Sequence, residues 1–129
     1  MVKPLRMDFA FWTNSDYLEE IPIHYNGVPI DLTGVSVKMP LRRYPSDATL
    51  VKQFDTVGTD VEGIRMLPGI GMRLFVPKAT IKTIYDAAMV TRPPDAVISF
   101  SHNMIFTQPG LVETWVFGSV NIYPGVQPQ

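Results

Sequence analysis

At 129 residues the chain has room for one domain and not for two comfortable ones. Its hydrophobic fraction of 46% and charged fraction of 18% supply a real core and argue against disorder. A net charge of −1 with no basic stripe argues against nucleic-acid binding, and the absence of cysteine excludes disulfides, Cys-ligated zinc and thiol catalysis.

The opening "MVKPLRMDFAFW" has no continuous apolar run, because Asp8 interrupts it, and no later window approaches about 18 apolar residues. Neither a signal peptide nor a membrane span is expected. Twelve prolines and nine glycines are spread along the chain, which is punctuation between short strands.

Residues 7–13 alternate, with Phe9 and Phe11 on one face and Ala10 and Trp12 on the other, so a strand is expected. Asn14, Ser15 and Asp16 make a turn. Residues 17–25 read as a second strand, and Pro22 within it predicts an edge or a bulge, since proline cannot donate to a ladder. Asn26-Gly27 predicts a tight hairpin, because both residues tolerate φ > 0. In the following Asp-Leu-Thr-Gly, Asp31 and Thr33 can cap nearby amides, and Gly34 permits an unusual φ before the next strand.

Residues 35–42 carry the cleanest pattern. Val35, Val37, Met39 and Leu41 point one way, and Ser36, Lys38, Pro40 and Arg42 the other, as in a half-buried strand. Strands are also expected at 50–56, weakly at 61–67, at 72–76, at 96–104 and at 111–123, where Val116, Val120 and Ile122 share a face. Residues 78–86 are the single expected helix, of one or two turns, with Pro77 at its start and Ile81, Ile84 and Tyr85 at helical spacing. Residues 124–129 form a short polar tail to a single domain, 1–129. Roughly eight strands, with turns about every 8–12 residues, predict an all-β sandwich or barrel.

Candidate chemistry is thin. His24 and His102 could contribute to an iron site with a carboxylate, but neither has a neighbouring ligand motif, and both read as ordinary surface or edge-strand histidines. Glu19 and Glu20 are adjacent on a strand and face opposite ways, so they are no catalytic pair. "PGIG" (68–71) leads into a strand with no following lysine, which is a turn rather than a phosphate loop. Lys38, Arg42 and Arg43 form a small basic patch, which reads as a wet strand face or a protein contact rather than a nucleic-acid site. No catalytic, cofactor or metal residue is assigned.

The aromatics are more suggestive. Trp12, Trp115 and Phe117 lie opposite the core-facing residues of their strands, and Tyr17 and Tyr123 lie nearby. A sandwich buries one face of each sheet, so this surplus predicts a further burial partner. Trp12, Tyr17, Trp115, Phe117 and Tyr123 are the candidate interface. A carbohydrate-binding module, with Trp12, Trp115 or Tyr123 stacked on sugar rings, is the alternative from another class.

The run "DFAFWTNSDYLEEIPIHYNGVPIDLTGVSVKMPLRR" (8–43) resembles a recurrent tailed-phage virion domain, the immunoglobulin-like N-terminal domain of upper baseplate proteins. The matching element is Gly27, Pro29, Asp31, Leu32, Thr33 and Gly34, followed by Val35 to Arg42. "MRLFVPKAT", "AVISFSHNM" and "GSVNIYPGV" are similar to the family's later strands. One departure is "ISFSHN", where Phe100 stands for the family's aromatic core and His102-Asn103 for its acid.

The resemblance implies an antiparallel immunoglobulin-like sandwich of about 7–9 strands with one short helix near 78–86. It also implies a non-enzymatic structural role in the virion, assembled in the host cytoplasm. The expected partners are other virion proteins and copies of the chain itself, with no nucleic acid, membrane or cofactor. Tail or baseplate assembly or attachment leads, and capsid decoration is the alternative.

Overall fold

In the computed structural model, which describes residues 5–25, 28–29, 34–90 and 92–125, apolar alternation translates into strands. The side chains of residues 24, 25, 28, 29, 111 and 115 lie outside that description. The strands are β1 (Leu5–Arg6), β2 (Phe9–Trp12), β3 (Tyr17–Pro22), β4 (His24–Tyr25), β5 (Val28–Pro29) and β6 (Ser36–Arg42). After these come β7 (Lys52–Val57), β8 (Gly63–Leu67), β9 (Gly71–Val76), the helix α1 (Lys78–Met89), β10 (Ile98–Gln108) and β11 (Leu111–Tyr123). Over the described residues the chain is all-β and sandwich-like, with one helix.

One sheet curls back on itself to make both layers. Its order is β1-β11-β10-β6-β7-β8-β9-β3, with β2 also on β11. The corner lies within β7. Lys52 to Asp55 pair with β6, whereas Thr56 and Val57 pair with β8. Continuing the β6 register past Lys38 and Asp55 would set Val37 opposite Thr56. There the backbone ladder stops and the Thr56 side chain replaces it. Its hydroxyl accepts the Val37 N–H at 2.6 Å and donates to the Val37 carbonyl at 3.0 Å. A hydroxyl can do both at once, which is why one residue lets a strand change partners without orphaning a buried peptide.

The far side is closed by side chains. Tyr17 of β3 packs on Phe9 and Phe11 of β2, with ring centroids 6.0 and 4.7 Å apart. The core between the layers holds Phe11, Phe54 and Phe100 with Val37, Met39, Leu41, Met72, Leu74 and their neighbours. Burying each phenyl ring contributes about 2–3 kcal/mol relative to leaving it exposed.

The sheet is mixed, where antiparallel pairing throughout was expected. β1 and β2 run parallel to β11, and β7 runs parallel to β8. β1 and β2 meet β11 from the opposite end of the sequence, and β7 meets the next strand without a hairpin between them, so no hairpin-turn signal announces either pairing. The helix is also longer than one or two turns. Pro77 offers no side-chain cap, but Asp16, from the β2–β3 turn, accepts the Lys78 N–H at 2.8 Å. Ile81, Ile84 and Tyr85 are buried, and the Tyr85 hydroxyl donates to the Ala96 carbonyl. This tertiary support outweighs the poor propensities of Thr and Ile.

Pro22 ends β3, an edge strand, as its chemistry requires. "PGIG" is the β8–β9 hairpin turn, with Ile70 N–H on the Leu67 carbonyl. Gly34 has φ 77°, in the left-handed region, immediately before Val35 and β6. Asn26, Gly27, Asp31 and Thr33 lie outside the described residues. The strands flanking the first two pair antiparallel, with Tyr25 opposite Val28.

Candidate functional site

Three neighbouring strands, β11, β10 and β6, build the outer face of the first layer. Their register sets Ser99 beside Asn121, Ser101 beside Ser119 and Arg42, and Asn103 beside Phe117. The Ser99 hydroxyl and the Asn121 side-chain oxygen are 2.6 Å apart. At one end β2 adds Trp12 opposite Tyr123, and the two rings stack at 4.9 Å. Trp12 is 47% exposed and Phe117 39%, on a face that also carries hydroxyls, amides and the arginines Arg6 and Arg42. Helix α1 turns its apolar side into the core and leaves this face uncovered.

Around Phe117 the face sinks into an open groove of about 640 Å³. Arg6 and Arg42 line it with Pro40, Asn103, Ile105 and Phe117, and no acid is among the lining residues. Arg42 is fixed by its own loop, because its Nη1 donates to the carbonyls of Asp47 (3.2 Å) and Ala48 (3.0 Å). On the second layer, a smaller cavity of about 300 Å³ is lined by Leu18, Val61, Phe75, Arg65 and Arg73. Both of those guanidiniums already converge on Asp60, at 2.5 and 2.6 Å. The Arg65 hydrogen bond is the main reason the Asp60 carboxyl is held below its ordinary range.

No family model and no curated protein matches the chain.

Beneath the groove lies a histidine clasp. His102 is buried at 5% exposure in the central strand β10. It was expected at the surface or on an edge, and the alternation of Ile98, Phe100, His102, Met104 and Phe106 carries it inward instead. Its ring packs 5.0 Å from that of Phe9, and Nε2 lies 2.7 Å from the Met7 carbonyl oxygen, so it carries the proton and donates. Nδ1 is buried without a partner among the described residues. Across the ladder stands Gly118, and Asp8 accepts the Ser119 N–H at 2.9 Å. The clasp pins the link between β1 and β2 to the sheet at the point where their ladder is interrupted.

Burial is the main reason the His102 pKa is lowered, and the Met7 carbonyl and Asp8 offset it in part. The folded chain disfavours the proton, so the unfolded chain takes it up first. Stability is full above about pH 6.5, falls as pH drops through that value, and stops falling below the depressed folded value. Urea unfolding across this window should show that slope. His102→Gln, which keeps a donor for Met7, should remove the His102 share of it. An unchanged slope would mean that His102 titrates as freely folded as unfolded. Asp8, held low chiefly by the Ser119 amide, acts only at more acidic pH.

The structure brings Trp12, Tyr123 and Phe117 onto one face and sets Tyr17 apart, half-buried against Phe9 and Phe11. Trp115 sits where the β10–β11 register skips a residue between Thr114 and Val116, and its side chain lies outside the description. His24 lies on β4, away from His102's strand. Among the described residues no three His, Asp or Glu side chains gather in metal-binding geometry.

Proposed function

We propose that this chain is a structural component of a tailed-phage virion, acting through protein–protein interfaces in tail or baseplate assembly or attachment. The observation that carries the proposal is the outer face of the first layer. Trp12 and Tyr123 stack there and Phe117 lines a groove, all on a surface its own helix leaves uncovered. Aromatic groups with one polar rim are the side chains that dominate protein interfaces. The resemblance of residues 8–43 to a baseplate domain supplies the setting. In this role the chain does no chemistry; it holds neighbours in register.

The test is location. Antibody against the chain should label tails of purified particles, and mass spectrometry should find it there in multiple copies. Label confined to heads would replace the proposal with capsid decoration. Absence from particles would end it.

A further inference from the structure

The groove of the first layer and the free edge of the second carry opposite charge. The groove sets Arg6 and Arg42 around Phe117 with no acid in its lining. Edge strand β3 presents Leu18, 61% exposed, and Glu20 on its outward side, with Glu19 exposed beside them. Among the described residues β9 is the one ladder neighbour of β3, which leaves the backbone of its other edge unpaired there. Two β3 edges brought together antiparallel would set these acids against one another, which disfavours a symmetric pairing.

Groove and edge belong to different layers, so one chain cannot fill its own groove with its own β3. We propose that the occupant of the groove is the β3 edge of a second copy of this chain, with Leu18 against Phe117 and Glu20 facing Arg6. This deepens the structural role proposed above and rests on it.

Both charges are free to change partners. Arg6 touches Asp8 at 3.4 Å in an exposed pair that contributes little, and the exposed Glu20 touches the half-buried Arg73 at 3.5 Å, a long contact. When they part, Asp8 keeps the Ser119 amide and Arg73 keeps Asp60. The two patches differ, so the contact is heterologous. It propagates from copy to copy and gives a ring where the rotation closes.

A charge swap tests this by size-exclusion chromatography with light scattering. The native chain should assemble, less so as salt rises. Arg6→Glu and Glu20→Arg, both at exposed positions, should each weaken association by about tenfold or more. Circular dichroism checks that each stays folded. An equimolar mixture of the two variants should assemble again, because each altered patch then meets its complement. A native chain that stays monomeric at its solubility limit, single variants that assemble like the native chain, or a mixture that stays dissociated would each overturn the contact. A monomer that still labels tails would overturn this contact alone, whereas an assembling chain absent from particles would overturn the virion role alone.

Discussion

Gly118→Ala is expected to destabilise the fold by about 3–5 kcal/mol and to free the N-terminal strands. Gly118 has φ 156° and sits opposite His102. A Cβ there would overlap the Met7 carbonyl oxygen and come within 2.6 Å of Asp8 Oδ1. The Met7–Asp8 segment must then lift. Its departure leaves the buried Nε2–H of His102 without an acceptor and takes the Asp8 carboxylate from the Ser119 amide. Backbone strain and an orphaned buried donor each cost about 1–3 kcal/mol. Urea unfolding gives the total, and hydrogen exchange locates it, since amides of β1 and β2 should exchange faster than those of β9. A loss under about 1 kcal/mol, within the range of ordinary substitutions, would show that the segment yields without consequence.

Thr56→Val should cost about 2–4 kcal/mol although its shape hardly changes. Val37 is wholly buried, and its N–H and carbonyl both depend on the Thr56 hydroxyl. Valine fills the same space and offers neither a donor nor an acceptor. Thr56→Ser keeps the hydroxyl and should recover most of the loss. Chemical denaturation of the three proteins separates the hydroxyl from the methyl. Equal losses for Ser and Val would assign the effect to packing instead.

Much of the fold is legible in the residues. The alternation of β2, β6 and β10 places Phe9, Phe11, Val37, Met39 and Phe100 inward, as found. The helix is legible from Ile81, Ile84 and Tyr85, but not its last turn, where Ala88 and Met89 pack against a core that only the folded chain assembles. The β7 corner is invisible for the same reason: Thr56 looks like any strand threonine until Val37 is placed beside it. His102 is a different case. Its phase with Phe100 and Met104 points inward in the sequence itself, and polarity alone suggested the surface. Trp12 and Phe117 are legible as outward-facing, whereas the pairing of Arg6 with the groove and of Leu18 with Glu20 on a free edge needs three dimensions.

The corner in β7 has a mechanical consequence. Two separate sheets held by side chains alone can slide or peel apart along their interface. Here one strand belongs to both layers, with Lys52 to Asp55 hydrogen-bonded into one and Thr56 and Val57 into the other. Tension applied to either layer passes into the other through covalent backbone. The folded chain therefore responds to a pull as one stiff body.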